Sequence, residues 1–217
     1  MHSDVHTPEK YGIYQAVGDT TGPGGIVRAL RTLPMFEEIG LAVKEYCPKA
    51  WVINYTNPMT LCIRTLYRVF PEIKAFGCCH EVFGTQMFFM NILELEKGIK
   101  VESREDIKVN VVGVNHFTWL TKANYGKINL MDTYAKFVEK HSEKGFHKGG
   151  DDNWANSNFK TLECVKMDLF KRYGAIAAAG DRHLAEFNPG YHYLKSPEQV
   201  KETWHYQLTT VASRKEE

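Results

Sequence analysis

Apolar positions along the chain repeat with two periods. Short β-prone runs occur at Trp51-Val52-Ile53-Asn54-Tyr55, at Lys74 to Cys78, and at Ile107 to Gly113, where Val109 to Gly113 is the strongest; Phe117-Thr118-Trp119-Leu120 continues as another. Runs of this length bounded by polar or turn residues read as strands, the first of them buried. Helical spacing predicts one or two helices over Ile26, Leu30, Leu33, Met35, Ile39, Leu41 and Val43, ending before Pro48. It predicts another over Met59 to Val69, with Pro58 in its first position and Asn57 near its cap. Further helices follow over Glu81 to Leu95, from Asn129 through Val138, over Phe159 to Tyr173, and from Ser196-Pro197-Glu198 onward. Lys140 to Asp152, rich in Lys, Gly and His, reads as a loop. The alternation of strands and helices makes this an α/β chain.

Two strands end in polar clusters, and the carboxyl ends of strands are where open α/β sheets keep their ligands. One is Gly77-Cys78-Cys79-His80-Glu81-Val82 and the other is Gly113-Val114-Asn115-His116. A thiolate from Cys79 and an imidazole from His116 would suit a divalent transition metal. Taken singly, each has a plainer reading as a buried thiol or a core histidine. Successive strand side chains point to opposite faces, so one of Cys78 and Cys79 is expected buried and the other presented. His80 and Glu81 open a helix, whose partial positive charge is expected to lower the pKa of nearby thiols and acids.

Three other stretches carry candidate chemistry. Gly18-Asp19-Thr20-Thr21-Gly22-Pro23-Gly24-Gly25 runs into a helix and could hold an anion on backbone N–H groups, or serve as a flexible connector. Arg28 and Arg31 on that helix either pair with a carboxylate or phosphate or form a solvated face. Asn57 either caps its helix or reaches a nucleotide or sugar hydroxyl. Gly180-Asp181-Arg182-His183-Leu184-Ala185-Glu186-Phe187 is either a site or a salt-bridged turn.

Composition narrows the setting. The 217 residues are 43% hydrophobic and 24% charged, as in an ordinary soluble globular protein. A net charge of +1, with both signs scattered, gives no reason to expect nucleic acid or an anionic membrane as partner. No apolar run approaches the roughly 20 residues of a membrane helix, and Met1-His2-Ser3-Asp4 does not begin a signal peptide. Five cysteines without framework spacing point to reduced thiols in a cytoplasm.

Together the glycine-rich loop, Asn57-Pro58, Cys79-His80-Glu81-Val82, Gly113-Val114-Asn115-His116 and Gly180 to Phe187 resemble, in order, glycoside hydrolase family four. That family departs from the two-carboxylate scheme of most glycosidases. The resemblance implies an incomplete Rossmann-like (lactate dehydrogenase-like) sheet over 1–115, followed by part of a second α+β domain over 116–217. It implies NAD and Mn2+ as cofactors, with oxidation at the sugar C3, proton removal from C2, elimination of the aglycone and addition of water. By position, Cys79 and His116 match the metal ligands, and Asn57 matches the residue between cofactor and sugar. The proton-abstracting base is a tyrosine in some subgroups and matches Asp181 in this one. His80 takes the place of the acid that protonates the leaving oxygen, and Asn115 and Arg182 would touch substrate. Cys79-His80-Glu81-Val82 is most similar to α-galacturonidase-like members, with α-galactosidases and α-glucosidases close behind. The implied substrate is therefore a non-phosphorylated α-glycoside, and a uronate would need a cation such as Arg28, Arg31 or Arg182. A homo-oligomer, dimer or tetramer, is also implied.

The chain departs from the family in one respect. It opens on the polar segment His2 to Tyr11, with no strand and no Gly-x-Gly turn, so the first βαβ unit and a long carboxyl-terminal part are expected to be missing. The exposed sheet edge this leaves invites pairing with another chain. Two further readings stand beside the hydrolase: a non-catalytic α/β module that binds through that edge, and a lactate/malate-type dehydrogenase. The dehydrogenase has no use for a metal-binding cysteine.

Overall fold

The computed structural model describes residues 2–146 and 161–208. It begins with α1 (His2–His6), a 3-10 turn (Pro8–Tyr11) and the long helix α2 (Gly22–Tyr46). Then come β1 (Trp51–Asn54), α3 (Met59–Val69), β2 (Lys74–Gly77) and α4 (Glu81–Lys97). A second sheet follows, with β3 (Ile107–Val114), β4 (Phe117–Tyr125) and β5 (Ile128–Asn129), and leads to α5 (Leu130–His141). The last elements are α6 (Cys164–Tyr173), β6 (Ile176–Ala177), α7 (Asp181–Phe187), α8 (Gly190–Tyr193) and α9 (Pro197–Glu202).

β1 and β2 are parallel, registered from Trp51↔Lys74 to Asn54↔Gly77, with α3 as the crossover between them. The core over this pair consists of Phe36, Cys62, Leu66, Phe70, Ile73 and Ala75. Gly40 of α2 lets the two helices meet, since a Cβ there would lie 2.5 Å from Val69 Cγ2. The α2 periodicity resolves into one continuous helix, with Pro34 inside it. The expectation that β1 is buried is corrected: Trp51 and Ile53 are exposed and only Asn54 is buried. Alternate strand side chains face opposite ways, and no described residue covers the face that carries the two apolar ones.

The second sheet is antiparallel. β3 pairs with β4 through a bulge at Asn110/Val111, and β4 also pairs with β5 and β6. Its core takes Phe88, Phe89, Ile92 and Leu93 from α4, together with Ile107, Leu120, Tyr134, Phe137, Met167 and Ile176. Although α4 follows β2 directly, it therefore buries its apolar side on the second sheet. A third cluster joins Ala16 to Val165, Leu169, Ala177, Ala179, Leu184, Ala185 and Tyr193. Through Ala16, this cluster brings the segment ahead of the glycine-rich loop up against α6 and α7.

Two boundaries differ from the pattern. The helix expected from Phe159 starts at Cys164, and Phe159 lies outside the described residues, as do positions 147–152 of the polar loop. The Gly180 segment is a helix from Asp181, because Leu184 and Ala185 are drawn into the third core. Among the described residues no helix is long and apolar enough to cross a membrane.

Candidate metal centre

Two connections converge to form the site. β2 ends at Gly77, and the Cys78 N–H donates to the Asn54 carbonyl at 2.9 Å, which extends the parallel pairing to the residue before Cys79. β3 and β4 meet at Val114↔Phe117, so Asn115 and His116 form a two-residue hairpin turn, with His116 at φ +64°. Side chains other than Asn, Asp and Gly enter that left-handed region at a cost on the order of 1–2 kcal/mol. Strain of this kind concentrates at functional positions. His116 is also 2% exposed, so the turn drives its imidazole inward.

Glu81, the first residue of α4, lies between them. Its Oε1 stands 3.8 Å from His116 Nε2 and 3.6 Å from His183 Nδ1. The His183 ring stacks on His116 with centroids 3.7 Å apart. On the other side of His116, Thr20 Oγ1 lies 3.0 Å from Nδ1 and donates to Asp19 Oδ1 at 2.7 Å. Asn57 Nδ2 donates to the second Asp19 oxygen at 2.8 Å. The Asn57 side chain therefore does not cap α3.

The electrostatics are set by burial. It pushes Glu81 up to about 7, against the pull of Lys166 and the His116 amide. Burial, and then the Glu81 charge, also raise Cys79, against the opposing pull of the Asn115 side chain and the backbone N–H groups of Glu81 and His80. The expected lowering by the amino end of α4 is thus corrected: desolvation outweighs the helix terminus at both groups. Cys78 and Cys79 are both half-buried, so neither is wholly hidden. Burial lowers His116, and it takes His183 down to about 3, so both imidazoles are neutral. Burial works to raise Asp19, but the Thr20 hydroxyl, His183 and Asn57 together hold it below the ordinary carboxylate range.

The arrangement fits a divalent metal ion. Donor atoms of Cys79, Glu81 and His116 lie within 4.8 Å of one another, and Asp19, His116 and His183 form a second such group that shares His116. The Oε1 of Glu81 and Oδ1 of Asn115 are buried without a hydrogen-bond partner among the described residues. Sulfur, nitrogen and oxygen together suit a transition metal, and a bound cation would draw the proton from the thiol and the carboxyl.

Of the residues singled out in the sequence, Cys79, His116, Asn115 and Asn57 come together. His80 is exposed at the start of α4, beside them. Asp181 does not face the cluster: it is 0% exposed, and its carboxylate accepts Thr161 Oγ1–H and the N–H groups of Val165 and Lys166. It holds the amino end of α6. Arg182 is also turned inward, donating to the Ala16 carbonyl at 2.6 Å. Arg31 pairs with Asp4, whereas the Arg28 Nε donates to the Asn57 carbonyl at 3.0 Å. Glu81, His183, Asp19 and Thr20 sit inside the quoted motifs, yet sequence reasoning picked none of them as site residues. The only signal was their place beside a strand end or within a charged cluster.

Comparison with known proteins gives the family. The model of the family 4 glycosyl hydrolases matches residues 1–95, and the model of their C-terminal domain matches residues 111–217. An alpha-galacturonidase of Thermoanaerobacterium saccharolyticum is 64% identical over all 217 residues, and that of Bacillus subtilis 54%. The chain spans 46% and 47% of their respective lengths. A crystal structure from Bacillus subtilis, lplD, described as a candidate glucosidase, superposes with a TM-score of 0.91 at 54% identity, over 99% of this chain and 48% of that one. The fold is also that of a Thermotoga maritima 6-phospho-beta glucosidase solved with manganese, NAD+ and glucose-6-phosphate. There the TM-score is 0.63 at 19% identity, over 99% of this chain and 43% of that one. The chain belongs to the family 4 glycosyl hydrolases.

Proposed function

We propose that this chain carries the metal-binding, sugar-facing part of an α-galacturonidase, a glycosidase acting on a non-phosphorylated α-glycoside. The observation that carries the proposal is the convergence of Cys79, Glu81 and His116 donor atoms within 4.8 Å. The four α-galacturonidases that match at 54–64% identity support the choice of sugar.

In this reading Cys79 and His116 hold Mn2+, with Glu81 beside them. The metal supplies Lewis-acid polarisation of sugar oxygens when bound. His183, stacked on His116, faces the cluster where Asp181 does not and is placed to touch the sugar. His80, exposed at the mouth, gives one to the leaving oxygen. Arg28, beside Asn57, is the cation best placed for a uronate carboxylate.

NAD enters through the relatives, two of which were solved with NAD and manganese. Asn57 offers its Oδ1, without a hydrogen-bond partner among the described residues, to a nucleotide or sugar hydroxyl. No Gly-x-Gly turn follows a strand among the described residues, so these residues alone do not fit the whole dinucleotide, and no step is derived through it. A homo-oligomer is part of the same reading, supported by the open edge of β1 and the exposed Trp51, Ile53 and Phe76. So is a cytoplasmic setting, supported by five free cysteines.

The test is cleavage of a chromogenic α-galacturonide, with Mn2+, NAD+ and thiol reductant omitted in turn. Turnover that needs both metal and NAD+ is expected. Turnover indifferent to Mn2+ would refute the metal role.

A further inference from the structure

The polar contacts on the far side of His116 have a definite direction. Asp19 accepts on both carboxylate oxygens, from Thr20 Oγ1 at 2.7 Å and from Asn57 Nδ2 at 2.8 Å. A threonine hydroxyl has one proton to give and lone pairs left to accept with. With that proton committed to Asp19, the 3.0 Å contact between Thr20 Oγ1 and His116 Nδ1 closes only if the imidazole donates. The proton of the neutral ring then resides on Nδ1. Nε2, which stands 3.8 Å from Glu81 Oε1, keeps its lone pair.

We infer that Thr20, oriented by Asp19 and Asn57, is a positioning residue that fixes His116 as the Nδ1–H tautomer and so presents Nε2 to the metal. The inference rests on the metal-site reading above, with Cys79, Glu81 and His116 as the donor group, and extends it to the residues behind His116. Metal-binding histidines commonly donate their second ring nitrogen to an oxygen acceptor, which sets both tautomer and ring angle. Here the acceptor is a hydroxyl, and the charge that makes it a good acceptor lies one residue earlier. Nothing covalent is needed to hold Thr20 in place. Gly25 of α2 is packed onto it so closely that a Cβ would lie 2.4 Å from the Thr20 carbonyl carbon. The glycine-rich stretch therefore serves the site by clamping Thr20 under the hairpin turn.

The experiment is long-range proton–nitrogen correlation spectroscopy of the metal-free chain with 15N-labelled histidine, together with Mn2+ binding followed by electron paramagnetic resonance. His116 is identified by its loss in His116→Gln. The expected spectrum shows His116 protonated on Nδ1, and Asp19→Asn, whose amide can donate to Thr20, shifts it toward Nε2–H. Thr20→Val, which keeps the shape and removes the acceptor, abolishes the preference and weakens Mn2+ binding on the order of 10- to 100-fold, while Thr20→Ser restores both. An Nε2–H ring in the unaltered chain, or a Thr20→Val chain with unchanged tautomer and unchanged Mn2+ affinity, would overturn the assignment. If the unaltered chain binds no Mn2+, the metal reading fails, while the spectrum still decides the tautomer.

Discussion

The Glu186 carboxylate accepts the Gly18 backbone N–H at 2.7 Å, across 168 residues of chain, and the Val17 N–H at the same distance. The glycine-rich loop thus holds a carboxyl group on its backbone N–H groups, and that carboxyl is the protein's own. Thr21 adds a hydroxyl bond to the Glu186 carbonyl, so the loop that carries Asp19 and Thr20 is bound along its length to α7, which carries His183.

This bond predicts a pH dependence. Burial lifts Glu186 from 4.5 to about 7, despite its two amide donors. Between those values the folded chain keeps a proton that the unfolded chain has released, so Glu186 makes stability fall as pH rises through the window. Glu186→Gln, neutral throughout, should lack this component of the slope. Urea midpoints at pH 5 and pH 8 should separate the two proteins, by up to on the order of 2–3 kcal/mol at the higher pH. Parallel profiles would refute the contribution.

The buried ion pair under the site should be costly to break. Lys166 Nζ lies 2.9 Å from Glu163 Oε2, with the side chains 1% and 3% exposed. Lys166→Met leaves that carboxylate in the core without its cation and should destabilise by about 3–5 kcal/mol. Adding Glu163→Gln should recover most of this, because the penalty is the lone charge. Denaturant unfolding of the two single variants and the double variant measures it, and additive losses would contradict the pairing.

Gly25→Ala tests how closely the loop is packed. The added methyl would sit 2.5 Å from the Thr20 carbonyl oxygen, so backbone must move. A loss of about 1–3 kcal/mol is expected, with weakened Mn2+ binding. Unchanged affinity would show that Thr20 can shift without consequence to the metal.

What the sequence made legible was local. Strands ending just before Cys79 and His116 follow from short apolar runs stopped by polar residues, and the juxtaposition of a thiol and an imidazole follows from both strands ending on one side. The place of Asp181 depends on a partner that pattern cannot supply, the amino end of α6, whose free N–H groups claim the carboxylate. With Asp181 turned inward, His183 two residues later faces the cluster. The exposure of Trp51 and Ile53 was equally illegible, because an apolar run does not say what lies over it. The sign of the shifts at Cys79 and Glu81 was missed because a helix terminus can be read from sequence and desolvation cannot.

The measurement that tests the account most directly is Mn2+ titration of the chain, followed by electron paramagnetic resonance, for the unaltered protein and for Cys79→Ser and His116→Gln. One ion per chain in the unaltered protein, with binding lost or sharply weakened in both variants, is the predicted result. Equal Mn2+ binding by all three proteins would contradict it and leave the cluster a buried polar network without a metal.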